Sequence, residues 1–180
     1  MIVWALAVAL ALPLPKAAID DAPPTREQVV AVPAPLQAQL QTEVIEPARS
    51  ELDRLQRLVR FISDGEQGLG VQYREDATYT VTEAYRNRQA NCVTYTLLFL
   101  TLAHLAGLDA YPQEIEETLS WQQHDDIVYR SNHVNVRVRV GMQRYLVDLG
   151  GDLMVGRRPP RRISMQRALA QYYNNRAVTL

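Results

Sequence analysis

The sequence of 180 residues contains only one cysteine, Cys92. A single cysteine excludes a disulfide within the chain, and it excludes zinc and iron–sulfur sites built from several thiolates. Two roles remain for Cys92: a buried thiol without chemistry, or a nucleophile. Three histidines are present, at positions 104, 124 and 133, so a nucleophilic role requires that one of them reaches Cys92.

The chain also lacks an excess of charge of either sign. It has 19 basic and 20 acidic residues, and the net charge of −1 gives no electrostatic reason to expect nucleic acid as a partner. Hydrophobic residues make up 47% and charged residues 22%, which excludes disordered, collagen-like and coiled-coil proteins. The length predicts one domain with at most a short appendage. We expect no cofactor and no metal.

No apolar run is long enough for an ordinary membrane span. The run over residues 2–15 is short of the roughly 20 residues that a spanning helix needs, but it has the length of a signal-peptide core. We therefore predict a signal peptide over residues 1–18, a mature protein without an integral membrane span, and a periplasmic or secreted location. No basic residue precedes the run, and the alternative is a partly buried N-terminal helix in a cytoplasmic protein.

Glycine is absent before Gly65, whereas seven of the ten prolines lie in the first 47 residues. This composition predicts a Pro- and Ala-rich extended linker over residues 19–41. The folded domain is then expected over residues 42–180.

Three helices are predicted in the first half of that domain. One begins at Glu46-Pro47 and carries apolar residues at helical spacing up to Ile62. The capping box Thr80-x-x-Glu83 predicts a short helix over residues 81–88. A third helix runs from Cys92 to Gly107 and is apolar on nearly all sides, which indicates a buried helix.

Strands follow in the second half. Residues 108–117 are predicted as a strand, which Pro112 assigns to a sheet edge, and residues 118–131 as a polar loop. Strict alternation predicts a strand over 133–140, followed by a turn at Gly141-Met142 and a return strand over 143–149. A loop over 150–162 and a closing helix over 164–180 complete an α+β fold.

Cys92 stands at the very start of its predicted helix. The unpaired N–H groups and the dipole at a helix N-terminus favour negative charge, and hence the thiolate, which is the nucleophilic form. The alternative is that Cys92 is a small buried hydrophobe.

The predicted hairpin brings a base and its orienter together. If Gly141-Met142 forms the turn, the register sets Asn135 opposite Asp148. His133, two residues before Asn135, then lies on the same face as Asp148, about 7 Å away as a diagonal neighbour. Asp148 can accept a hydrogen bond from one ring nitrogen of His133, which leaves the other nitrogen for a thiol. The alternative is a solvated His–Asp pair beside Arg137 and Arg139.

The other candidates carry weaker signals. His104 lies within the buried helix and is expected to be a satisfied core or rim histidine. His124 stands in a polar segment, His124-Asp125-Asp126, whose spacing fits no metal motif. The arginine-rich run over 157–162 could contact anionic material, but a solvated loop that contains prolines is the expected structure.

Three segments together resemble the transglutaminase-like superfamily: Arg88–Leu108, Ser131–Val136 and Tyr145–Asp148. The resemblance covers about residues 80–150 and implies a papain-like core, in which a buried helix with the cysteine packs on a small antiparallel sheet with the histidine and aspartate. It implies Cys92 as nucleophile, His133 as base and Asp148 as orienter. Ala90 stands where the family often has glycine, and His133-Val134-Asn135 stands where many members have His-Ala-Trp.

The expected function is thiol-dependent acyl transfer on an amide bond, by a cysteine protease or amidase or by a transglutaminase-type enzyme, with a protein or peptide substrate. Backbone N–H of Cys92, with Gln89 or Asn91, is the expected oxyanion stabiliser. The alternative is a non-catalytic binding or scaffold module. Residues 168–178 resemble the linker of bacterial relatives that continue into tetratricopeptide repeats, which suggests a repeat-protein partner.

Overall fold

The computed structural model describes residues 22–115, 121–124, 127–130, 133–148 and 159–178. The predicted α+β class with a small antiparallel sheet is confirmed. The helices are α1 (Arg26–Val29), α2 (Ala34–Leu40), α3 (Glu51–Ser63), α4 (Val81–Asn87), α5 (Cys92–Leu105) and α6 (Met165–Val178), and a π-helical turn (Gln41–Ile45) continues α2. The strands are β1 (Gln72–Tyr73), β2 (Gln89–Ala90), β3 (Asp109–Ile115), β4 (Trp121–His124), β5 (Ile127–Arg130), β6 (His133–Val140), β7 (Gln143–Val147) and β8 (Arg161–Arg162).

The main sheet has four antiparallel strands in the order β7-β6-β3-β8. The β6–β7 hairpin has the predicted register, with Val140 opposite Gln143 and Val136 opposite Val147. Gly141 has a φ of 58°, a conformation that glycine adopts without the steric cost of a Cβ atom. The turn chemistry of Gly141-Met142 therefore sets which side chains of the two strands share a face.

Helix α5 forms the centre of the core. The side chain of Asn91 caps its N-terminus by accepting a hydrogen bond of 2.9 Å from Thr94 N–H. Alternate residues of β6 (Val134, Val136 and Val138) are buried in the core, and burial of each valine contributes about 2 kcal/mol. The Thr96 hydroxyl donates to the Val134 carbonyl oxygen at 3.3 Å, which ties the helix to the strand beside His133.

The prediction of an extended linker over residues 19–41 is wrong for the described part of that segment, and the folded domain begins before residue 42. Residues 26–29 and 34–40 are helical, and Leu36, Leu40 and Val44 are buried in the main core. These three residues follow each other at a spacing of four, so they form one helical stripe. Pro35 lies in the first turn of α2, where a missing N–H removes no helical hydrogen bond. The predicted signal peptide over 1–18 lies outside the described residues.

The start of the next predicted helix is also corrected. Helix α3 begins at Glu51, because the Ser50 hydroxyl accepts a hydrogen bond of 3.1 Å from Asp53 N–H and forms the N-cap. Pro47 instead follows the π-helical turn, which ends at Ile45. The capping box of α4 agrees with the prediction, and α3 ends at Ser63, one residue after Ile62, the last apolar residue of the predicted helix.

Two predictions for the sheet are wrong. The segment predicted as a loop over 118–131 contains the antiparallel pair β4–β5, and Ile127-Val128-Tyr129 are residue types that favour strands. Strand β3 is not an edge strand, since β8 pairs with it at Gln113 and Glu114. Proline has no N–H to donate, and the nitrogen of Pro112 faces the side of β8. Pro112 is tolerated because it lies opposite Ile163, just beyond the end of β8, where its carbonyl oxygen still accepts a hydrogen bond from Ile163 N–H.

The predicted closing helix is confirmed as α6, which packs through Ala168, Leu169 and Tyr172 against Val93 and Leu97 of α5. Its C-terminal half reaches the N-terminal segment, because the Tyr173 hydroxyl donates to the Pro24 carbonyl oxygen at 2.8 Å. Within the described ranges, no helix combines the length and the apolar character that crossing a bilayer requires.

Candidate active site

Cys92 is the first residue of α5 and is partly exposed. Asn91 holds this corner, because its side-chain amide donates to the Thr78 hydroxyl at 2.8 Å while its oxygen accepts from Thr94 N–H. The Asn91 side chain is therefore engaged in capping, which argues against its predicted use as an oxyanion donor. The backbone N–H of Cys92 lies in the first turn of α5, where N–H groups have no partner within the helix.

His133 is the first residue of β6, and its side chain is almost fully buried. Its Nε2 atom lies 2.7 Å from Oδ2 of Asp148, which follows β7 directly. The structure thus brings together the two side chains that the hairpin register places on one face. The predicted alternative of a solvated pair is contradicted on the side of His133, because the ring is buried.

Asn135 is a third member of this cluster that the sequence did not single out for a role. Its side-chain amide donates to the same Oδ2 atom of Asp148 at 3.0 Å, and the residue is buried. The predicted register sets Asn135 opposite Asp148, and this pairing is the feature of the sequence that could have indicated the contact. Two donors on one carboxylate oxygen fix the carboxylate relative to the His133 ring.

The electrostatic surroundings of His133 couple it to both neighbours. Burial acts to lower the pKa of His133, but hydrogen bonds with Asp148 and Cys92, together with the negative charges of both, raise that pKa to about 9. Both neighbours therefore favour the protonated form of the His133 ring. A protonated imidazole beside a cysteine is the arrangement that stabilises a thiolate.

Tyr73 is a further neighbour that no pattern in the sequence indicated. The short parallel pair β1–β2 places Tyr73 opposite Ala90, two residues before Cys92. Half of Tyr73 is exposed, and its pKa is raised by partial burial and by the negative charges of Cys92, Glu75 and Asp148. Tyr73 therefore lies at the edge of the Cys92–Asp148 cluster.

The other predicted candidates lie elsewhere. His104 is on the last turn of α5, about 18 Å along the helix from Cys92, and its Nε2 lies 2.8 Å from the Ala110 carbonyl oxygen. This agrees with the rim role that the sequence suggested. His124 belongs to β4 and not to a loop. Of the arginine-rich run, Arg161 and Arg162 form β8, which corrects the prediction of a loop at these positions, whereas 157 and 158 lie outside the described residues.

In the part of the chain that the structure describes, no group of three or more His, Cys, Asp or Glu side chains could hold a metal ion. The chain matches no protein-family model, no curated protein and no solved structure. The relationship to the transglutaminase-like superfamily therefore stays a prediction drawn from Cys92, His133, Asp148 and the elements that carry them.

Proposed function

We propose that the protein is an enzyme that transfers an acyl group from an amide bond through the thiolate of Cys92, within a papain-like or transglutaminase-like core. The observation that supports this proposal is the buried His133 ring held by Asp148 at 2.7 Å, together with the influence of Cys92 at the start of α5, which acts with Asp148 to raise the pKa of His133. A nucleophile, a base and an orienting carboxylate in this order define a thiol-based triad by geometry and not by sequence position.

The orientation of His133 assigns its two nitrogens. Nε2 is bonded to Asp148, so Nδ1 is the nitrogen that serves Cys92. His133 takes the thiol proton, and the sulfur attacks the carbonyl carbon of the amide. The new S–C bond forms as the carbonyl oxygen becomes an oxyanion, which the Cys92 N–H at the start of α5 can stabilise.

The tetrahedral intermediate then collapses with cleavage of the C–N bond, and His133 protonates the departing amine. The resulting thioester on Cys92 is resolved by water or by a second amine, and His133 accepts the proton of whichever nucleophile attacks. Water gives a protease or amidase, and an amine gives a transglutaminase-type product. We favour hydrolysis of a protein or peptide substrate, and a periplasmic or secreted location if residues 1–18 are a signal peptide.

The test is the rate at which iodoacetamide alkylates Cys92 in the full chain, followed by intact mass from pH 5 to pH 9. We expect a rate at pH 6 about tenfold or more above that of free cysteine, with little change up to pH 8, because His133 and the N-terminus of α5 favour the thiolate. His133→Gln should restore the ordinary rise with pH, whereas the matched control His104→Gln should leave the rate unchanged.

A rate in the native protein that rises with pH like that of free cysteine would contradict the proposal and favour the non-catalytic binding module, with or without a repeat-protein partner. Incubation with peptide libraries, followed by the mass of a thioester adduct on Cys92, then identifies the acyl donor.

A further inference from the structure

A positively charged groove lies on the sheet face that carries the His133–Asp148 pair. Its volume is about 190 Å³, and its lining residues come from four strands: Asp109, Tyr111, Arg139, Arg144 and Arg162. Asp109 lies opposite Arg139, and Arg139 lies opposite Arg144, so these three side chains stand side by side across β3, β6 and β7.

The charges in this groove are not balanced. Asp109 forms an ion pair with Arg139, but among the described residues Arg144 has no acidic partner. Arg139 and Arg144 are directly opposed like charges, an arrangement that is unfavourable unless an anion separates them. Arg162 also has no acidic partner in the described ranges, and its guanidinium lies 4.3 Å from the centre of the Tyr111 ring.

The two arginines of β8 point to opposite faces of the sheet, because side chains alternate along a strand. Arg161 lies opposite Glu114 and forms an ion pair with its buried carboxylate at 3.7 Å. Arg162 lies opposite Gln113 and therefore points to the other face of the sheet. Arg161 is thus used within the fold, whereas Arg162 is presented to the groove.

The groove and the candidate active site lie on the same face of the sheet. Gln113, which Arg162 faces, is itself opposite Asn135, and Asn135 binds Asp148. Along β6, the six residue steps from His133 to Arg139 correspond to about 20 Å. An extended peptide spans a similar distance in about six residues.

We propose that this groove binds acidic side chains of the peptide substrate, four to six residues from the amide that Cys92 attacks. This inference rests on the proposed function, because it takes the substrate to be a peptide. Guanidinium groups bind carboxylates through paired hydrogen bonds, and stacking on Tyr111 holds the Arg162 fork in place before the substrate arrives. Asp109 within the groove and the net charge of −1 favour a few carboxylates over a nucleic-acid backbone.

The test is binding of a fluorescein-labelled peptide of five Glu-Ala repeats to the full chain carrying Cys92→Ala, measured by fluorescence anisotropy. We expect Arg144→Gln with Arg162→Gln to raise Kd about tenfold, and Arg144→Gln alone to raise it about threefold, because each removes a charge-assisted contact. Raising the salt concentration should weaken binding to the parent chain more than to the double variant.

Arg60→Gln is the matched control, since Arg60 is an exposed arginine of α3 outside the groove. It should change Kd less than twofold, and a peptide of Gln-Ala repeats should bind at least tenfold more weakly than the acidic peptide. An equal loss in Arg60→Gln and in the double variant would overturn the proposal. An unchanged Kd in Arg144→Gln would also overturn it. This variant removes no described contact within the fold, so a change in Kd would report on peptide binding.

A 20-nucleotide single-stranded DNA that binds more tightly than the acidic peptide, with the same dependence on Arg144, would overturn the peptide assignment in favour of nucleic acid. Failure of this proposal is distinguishable from failure of the proposed function. Rapid alkylation of Cys92 that depends on His133 would persist if only the groove assignment were wrong.

Discussion

Two carboxylates of the same sheet region show how a fold can use one chemical group in two ways. Glu114 on β3 is fully buried, and Arg167 at 3.2 Å, Gln171 at 2.6 Å and Arg161 surround it. Asp148 after β7 is partly exposed, and its Oδ2 binds His133 and Asn135. Arginine does not change its charge in the accessible pH range, whereas histidine does. The first carboxylate therefore joins elements permanently, and the second can take part in proton transfer.

The largest effect is expected from a substitution of His133, the partner of Asp148. His133→Gln removes the base, and we expect the rate of amide cleavage or transfer to fall by about a thousandfold or more, as in other triads. The measurement is kcat/KM with the peptide identified by thioester capture. Arg167→Gln beside Glu114 should leave kcat/KM within about twofold, and a comparable loss there would break the distinction between the two sites.

The pH dependence of stability is the next largest effect. The pKa of His133 is raised in the folded protein to about 9, from an ordinary value of 6.5. The resulting stabilisation is fully present below pH 6.5 and is lost as the pH rises through 9. Cys92 titrates together with His133, so the measurement uses chains that carry Cys92→Ala. In these chains we expect the free energy of unfolding in urea to fall by about 2 kcal/mol between pH 6 and pH 10 relative to the same chain with His133→Gln, because the hydrogen bond of Asp148 to the imidazolium is lost.

Parallel pH profiles for the Cys92→Ala chain with and without His133→Gln would show that Asp148 does not hold His133 as an imidazolium. Glu114 offers the contrast, because its arginine partners keep their charge across this range.

Glu114→Gln is expected to cost about 2 kcal/mol of unfolding free energy. The substitution removes the buried negative charge that Arg167 and Arg161 face, but Arg167 is about half exposed, so water compensates part of the loss. Urea denaturation at pH 7 measures the change. The alkylation rate of the folded variant should stay as in the parent, and a large drop in that rate would mean that the Glu114 cluster acts on the active site.

The smallest effect is expected from Asn135→Ala, at about 1–2 kcal/mol, because it removes one hydrogen bond to a carboxylate. If Asn135 has only a structural role, Asn135→Ala lowers stability and leaves the pH profile of Cys92 alkylation unchanged. A positioning role for Asp148 should also move the pH profile of Cys92 alkylation, because the carboxylate that holds His133 becomes less fixed. Asn135→Ser, which can donate through its hydroxyl, should restore part of the profile.

Predictability from sequence differed along the chain for identifiable reasons. The alternation of β6 and the turn at Gly141-Met142 are local signals, and together they predicted that His133 and Asp148 share a face. The N-terminal segment combined prolines with apolar residues, and its composition suggested a linker although the spacing from Leu36 to Val44 is helical. There, burial against distant elements outweighed the composition, because prolines in a first helical turn cost little.

Local sequence patterns therefore determined the class of the fold, the start of α5 at Cys92 and the register of the hairpin. The pairing of His133 with Asp148 follows from that register. Only the tertiary structure decided the contacts that depend on elements far apart in sequence. It placed Tyr73 beside Cys92 through a two-residue parallel pairing, enclosed Glu114 between β3, β8 and α6, and gathered three arginines into one groove. The reason is physical: capping, alternation and turns act over a few residues, whereas burial and ion pairing depend on which distant surfaces meet.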